Sequence, residues 1–511
     1  MQKQPSWFIR QFFCSSVSQT DCFLSLTGAE RQKKHIRRKI MNEEQLEINL
    51  NPVSGNALRR TLENGEFLTL IETQVPAGEM DKAAATQRLA VLEKTVLSQE
   101  NGNTALAIVD NPARPDWKAV EYAAGLPENT RDRHLVYLSG ANMDRASVSE
   151  LIQMAENAGL RNIVPVSGNI PGEVKNARDC KKIPFTESTI ILQMLAERGS
   201  FFTGATVNPF QYTPYTLLGS YYKLIKKFNC GAGFMITQTG WDMLKLQALS
   251  WYLTRRDIHF PKIARLTLLS PEKVENIKAG NSPGIKISRD MSKLLTEELT
   301  YSKSLFESVQ YRRLELQAAG CRLMGFSGIQ ISGVESPAKA EFILKRINAA
   351  LKEYATFDHW LSEYNSFMAT TEMAPFSNDY RMFDRILYRN YPYDNPPETK
   401  ELPPPSVSSA EKIGFYLKSF FFSRADRQRA GNGRLLKKLT ANCAGCNSCR
   451  LPQKNFVCCQ TCPMGLVNGI CGNVNADGNC PLTGKECVHH KIIRLAHWRN
   501  NLPEQEKLLT E

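Results

Sequence analysis

The chain has 511 residues, 42% of them hydrophobic and 23% charged, the composition of a globular protein and not of a disordered or fibrous one. At roughly 100–200 residues per domain it holds two to four domains, or one large domain with additions. It carries no apolar run of about 18 residues, the length a membrane-crossing helix needs. Its net charge of +13 sits at the ends: +6 over residues 1–40, +8 over 406–511, and −1 over the 365 residues between. A near-neutral body lacks the basic folded face of a duplex-binding protein, so neither nucleic acid nor membrane is an expected partner. The basic ends suit an acidic partner or substrate tail.

Residues 1–40 read as a disordered basic extension ahead of Met41. SWFIRQFF is interrupted by Arg10 and Gln11, and no small-residue cleavage site follows. From about residue 65, β-rich runs alternate with helical stretches. The expected strands are FLTLIE (67–72), TALAIVD (104–110), LVYLS (135–139), NIVPVSG (162–168), FFTGATV (201–207), GFMITQ (233–238), IARLTLL (263–269) and SGIQIS (327–332). Between them, segments such as SVSELIQMAENAG and MLKLQALSWYLTRR repeat apolar residues at three and four, as helices packed on a sheet do. Eight such units over roughly 290 residues is the arithmetic of a (β/α)8 TIM barrel. No GxGxxG follows the first strand, as an open nucleotide-binding sheet would have. The barrel is expected over 41–355, a connecting segment over 356–405 and a small metal-binding domain over 406–511. PPETKELPPPSVSS reads as a stiff linker and EKIGFYLKSFFFSR as a helix.

In a TIM barrel, functional side chains stand where strands end on the C-terminal face. Those positions hold Glu72, Asp110, Asn111, Ser139, Asn169, Asn208, Thr237 and Gln238, with no His, Cys or Lys. That argues against nucleophilic catalysis and against a catalytic metal in the barrel. A polar, weakly charged mouth suits an aromatic heterocycle or a flavin, read by amides and served by one general acid.

Nine of the 14 cysteines lie between Cys443 and Cys487. The order is Cys443, Cys446, Cys449, Cys458, Cys459, Cys462, Cys471, Cys480, Cys487, with CxxC spacings that suit tetrahedral zinc or an iron–sulfur cluster in a reducing cytoplasm. Nine thiols exceed one four-ligand site, so two centres or some free thiols are expected. The metal would supply much of this small domain's folding energy.

Six stretches, in order over residues 65–350, resemble methylenetetrahydrofolate reductase: FLTLIETQVPAG, AIVDNPARP, GLRNIVPVSGNIPG, FTGATVNPF, KKFNCGAGFMITQTGWD and GFSGIQI. The resemblance implies a flavin-bound cytoplasmic barrel, with FAD passing hydride between 5,10-methylenetetrahydrofolate and 5-methyltetrahydrofolate and NAD(P)H or an electron-carrier protein as donor. It implies that Glu72 protonates the folate as its five-membered ring opens, since a cationic iminium accepts hydride where a neutral methylene bridge does not. Without the resemblance, Glu72 reads as a strand-end carboxylate paired to a nearby base. Gln238 matches the glutamine that orients the pterin. Asp110 and Asn111 lie where relatives hold substrate or flavin, and Lys226 and Lys227 where relatives contact the FAD phosphates.

This chain departs from the pattern at several of these places. Asn169, after Gly168, stands for the usual Asp beside the flavin, Tyr137 for a frequent His, and Ser220 and Lys223 for an FAD-contacting Asp and Asn. These changes leave FMN as an alternative to FAD. A neutral amide at Asn169 removes like-charge repulsion against an anionic reduced flavin, which suits oxidation of the methyl-folate. A demethylating enzyme running in that direction, or a non-catalytic folate-binding scaffold, are the alternative readings, and a homo-oligomer is left open. NFVCCQTCPMGLVNGICGNVNADGNCPLTGKEC resembles the cysteine-rich C-terminal domain of some reductases of this family, with NGICGN for the usual NGPCGG. That resemblance implies a domain that docks electron donors or stabilises the reductase.

Overall fold

The computed structural model describes residues 55–509 apart from 79, 100–102, 369–379, 388–396, 423–433 and 447–448. The expected extension over 1–40 lies outside the described residues. Eight parallel strands close into a barrel in sequence order: β1 (Leu68–Gln74), β2 (Thr104–Val109), β3 (Leu135–Ser139), β4 (Asn162–Val166), β5 (Phe202–Val207), β6 (Phe234–Thr237), β7 (Lys262–Thr267) and β8 (Gly328–Ser332). Each expected strand is present within two residues of its expected ends. β8 closes onto β1 with Leu70 opposite Gln330, and β7 onto β8 with Arg265 opposite Gln330.

The intervening helices start where polar side chains can take up free backbone N–H groups. Asp81, Asp144, Asp242, Ser270, Ser288, Ser302 and Ser336 each accept such a bond. Pro214, Pro271 and Pro337 open the first turns of their helices, where a missing N–H costs nothing. Apolar residues fill the barrel interior, and the short helix Ala57–Glu63 closes its N-terminal end by adding Leu58 and Leu62 to the cluster of Leu68, Leu70, Phe234 and Ile236. Its cap residue Asn56 donates to Asn162 of β4 at 2.7 Å.

The connecting segment begins as part of the barrel. Helix Phe357–Met368 lays Trp360, fully buried, against helix Lys303–Leu323, and the indole N–H donates to the Leu316 carbonyl at 2.7 Å. Gly320 permits this: a Cβ there would stand 2.3 Å from the indole ring. The predicted helix after the linker spans Ser409–Phe422. Beyond it come helix Arg434–Ala441, short 3-10 turns, and helix Val488–Trp498. Among the described residues, no helix is long and apolar enough to cross a membrane.

Candidate active site

Strand alternation turns Glu72 of β1, Tyr137 of β3, Arg265 of β7 and Gln330 of β8 toward one another inside the C-terminal half of the barrel. Glu72 is the only carboxylate in any of the eight strands. Arg265 grips it with two bonds, Nε to Oε2 at 2.7 Å and Nη2 to Oε1 at 2.6 Å. Gln330 Nε2 donates to Glu72 Oε2 at 2.6 Å, and the Tyr137 hydroxyl donates to Gln330 Oε1 at 2.9 Å. Lys273, just past β7, donates to Thr267 Oγ1 at 2.5 Å and adds positive charge nearby.

Burial by itself would raise the Glu72 carboxyl, but the Arg265 charge and the bonds from Arg265 and Gln330 outweigh it. The group is held below the usual carboxylate range and is ionised at neutral pH. The paired-carboxylate reading of Glu72 is therefore realised in the structure. Burial pushes the Tyr137 hydroxyl far up, so it remains a donor.

The other expected residues divide by position. Gln238 is half-buried at the end of β6, and its Oε1 accepts from the Thr239 amide at 2.9 Å. Asn169 is exposed in the loop after β4, which Gly168 turns with a φ of +80°. Asp110 accepts from the Ala119 amide at 2.7 Å, at the start of helix Ala119–Ala123, and burial raises its carboxyl. Asn111 ties its loop to the Val75 carbonyl at 2.7 Å. Asp110 and Asn111 thus shape the mouth through backbone contacts.

Lys226 and Lys227 lie on helix Pro214–Asn229 and are both almost fully buried. Lys226 Nζ donates to the Asn468 carbonyl at 2.8 Å, and Lys227 Nζ to the Thr206 carbonyl at 2.7 Å and its hydroxyl at 2.8 Å. Burial lowers both ammonium groups, Lys227 to about 7. Two buried amines bonded to backbone do not fit the phosphate contacts expected of them.

Their surroundings explain this. The cysteine-rich domain docks on the same helix through its NGICGN segment. Glu187, buried beside the helix start at Ser188, accepts from the Val467 and Asn468 amides at 3.0 Å each and pairs with Lys223 at 2.9 Å. Lys223 also donates to the Gly469 carbonyl at 3.3 Å. Asn208, at the end of β5, donates to the Gly472 carbonyl at 3.3 Å. Burial would raise Glu187, but Lys223 and the two backbone amides bring it down to about 2. Helix Val488–Trp498 adds a contact from His497 Nδ1 to the Tyr215 hydroxyl at 3.2 Å.

The nine expected metal thiols fall into two neighbourhoods. Cys443, Cys446, Cys449, Cys458 and Cys459 line one cavity with Lys437. Cys462 and Cys471 pack with Cys180 of the barrel, and Cys471 packs in turn with Cys480 and Cys487. The donor chemistry suits thiolate-bound metal. Among the described residues, no three Cys, His, Asp or Glu converge closely enough to hold an ion as they stand.

The residues that sequence reasoning missed are Arg265, Gln330, Lys273 and Glu187. Arg265 and Gln330 did leave a signal: each is a polar residue at an alternating position inside an otherwise apolar strand. Glu187 left none.

Residues 422–510 match the family model described as the methylene-tetrahydrofolate reductase C terminal. No curated protein matches the chain. A solved structure of an uncharacterized protein from Clostridium thermocellum, described as binding two copies of 5-methyl-5,6,7,8-tetrahydrofolic acid, is 14% identical. The match covers 58% of this chain and 98% of that one, with a TM-score of 0.39. Residues 422–510 are thus similar to the C-terminal family of methylenetetrahydrofolate reductase, and the described part of this segment is docked on a closed parallel eight-strand barrel.

Proposed function

We propose that the barrel binds a reduced folate at its C-terminal mouth and acts as an oxidoreductase on the folate's one-carbon unit, interconverting 5,10-methylenetetrahydrofolate and 5-methyltetrahydrofolate. FAD or FMN is the proposed hydride carrier, with NAD(P)H or a carrier protein as its redox partner. The reading is carried by Glu72: the sole strand carboxylate stands at the exit of β1, joined to Arg265, Gln330 and Tyr137. A reductase-type C-terminal domain on the same chain supports it.

The chain's own residues would divide the work as follows. Glu72 exchanges a proton with the folate nitrogen that leaves or rejoins the methylene carbon. Gln238, with an amide at the rim, pairs with the edge of the pterin. Arg265 and Gln330 hold the carboxylate in one orientation, which removes the entropic cost of orienting it.

The Arg265 contact favours the oxidative direction as a second reading. Reduction needs Glu72 protonated before ring opening. Oxidation of 5-methyltetrahydrofolate needs it ionised, ready to take the proton released when the ring closes. A carboxylate held below its usual range starts in the second state.

The test is turnover in both directions by protein purified without oxygen, with Glu72→Gln beside wild type and folate binding measured separately. Loss of turnover by about a hundredfold or more, with binding kept, supports the reading. Unchanged turnover in Glu72→Gln, or wild type that binds no reduced folate, sinks it.

A further inference from the structure

We infer that the outer face of helices Ser409–Phe422 and Arg434–Ala441 is the docking surface for an acidic electron-carrier protein. The inference rests on the oxidoreductase reading above and names where its redox partner meets the chain.

The two helices are turned the wrong way round for a solvent-facing pair. Leu435 and Leu439 are 74% and 76% exposed, whereas Lys437 between them is 4% exposed. Lys437 points inward because the thiol cavity is there: it lines that cavity with Cys443, Cys446, Cys449 and Cys458, and it lies 5.9 Å over the Phe422 ring. Turning Lys437 in forces the leucines out. The preceding helix repeats the pattern. Phe415 and Phe422 pack inward with Cys449 and Cys458, while Ile413, Leu417, Phe420 and Phe421 face outward, Phe420 at 81% exposure. Apolar surface this concentrated marks a place where something binds.

Charge selects the occupant. Lys412 and Lys438 are exposed on these helices, and Arg499 is exposed beside Phe415. The helices carry a single carboxylate, Glu411, and it is tied up by Arg494 and Lys491. An apolar centre with a basic rim complements a protein with an apolar centre and an acidic rim. A second copy of this chain would bring two basic rims together. What lies behind the face decides between a protein and a lipid surface: the inward Phe415 and Phe422 of the same helix pack with Cys449 and Cys458, two of the five thiols that line the cavity. A carrier seated here would bring its redox group within a helix's thickness of that cavity.

The probes are a flavodoxin and a plant-type ferredoxin, both acidic, titrated onto the full chain at low and at raised salt. Binding at low salt that weakens as salt rises is expected. Phe420→Ser with Leu439→Ser, and separately Lys412→Glu with Lys438→Glu, should each weaken it about tenfold or more. All four positions are exposed, and circular dichroism and melting of each variant confirm that the fold is kept. Three outcomes overturn the inference: neither carrier binds, the variants bind as wild type does, or the face mediates self-association or capture by anionic vesicles instead. Folate turnover driven by dithionite bypasses any carrier. Intact turnover without carrier binding therefore rejects this surface alone, and carrier binding without turnover rejects only the folate reading.

Discussion

Arg265 of β7 closes on Glu72 of β1 across 193 residues of sequence, with both guanidinium bonds under 2.8 Å. Two opposing effects act on this carboxyl, burial upward and the guanidinium downward, and the second wins. Removing the guanidinium reverses the balance. In Arg265→Met, burial dominates, so the Glu72 carboxyl should titrate at higher pH than in wild type. Oxidation of 5-methyltetrahydrofolate needs the ionised form, so its acid limb should move to higher pH while the reductive direction gains at neutral pH. The pH profile of both rates checks this. A profile in Arg265→Met that overlies wild type, with folate still bound, would mean that Glu72 is not the titrating group.

Glu187 fastens the two halves of the molecule. It pairs directly with Lys223, and it also holds the Val467 and Asn468 amides. Glu187→Gln leaves the buried Lys223 ammonium without this counter-charge and should destabilise the docked state by about 3–5 kcal/mol. The pH sign follows from its depressed pKa. The contribution is full above the ordinary value of 4.5 and disappears as pH falls toward about 2. Wild type should therefore expose the 466–472 segment to limited proteolysis in acid before the barrel melts, and Glu187→Gln should do so at neutral pH. If both proteins are cleaved there at the same rate at pH 7, this contact does not hold the domain.

Much of this was legible in the sequence, and the boundary has a physical cause. A strand's burial pattern is a local property, so eight short apolar runs such as LVYLS and SGIQIS marked the barrel. Glu72 was legible as a strand-end carboxylate. Its partner was not, because period-two alternation says which face Arg265 occupies and not which strand it meets; ring closure through β8 decides that. Lys226 and Lys227 show the limit most clearly. A lysine pair on a helix looks the same whether solvent, a phosphate or a docked backbone carbonyl lies over it, and only the placement of Asn468 distinguishes them.

The thiols yield the last expectation. Burial raises Cys459 to about 11 and Cys487 to about 12, so neither is a thiolate at neutral pH without help. Bound metal would supply that help by displacing the proton, which makes its affinity fall as pH falls. The two neighbourhoods should then load separately. Cys446→Ser should remove the metal of the 443–459 group and leave that of the 462–487 group, with Cys480→Ser doing the converse. Metal content per chain, measured anaerobically together with the visible absorption that separates iron–sulfur from zinc, reads this directly. Loss of the 462–487 metal should also loosen the docked segment, because Cys462 and Cys471 pack against Cys180 beneath the barrel mouth loops. Wild type that carries no metal, or a single substitution that empties both groups, contradicts two independent centres.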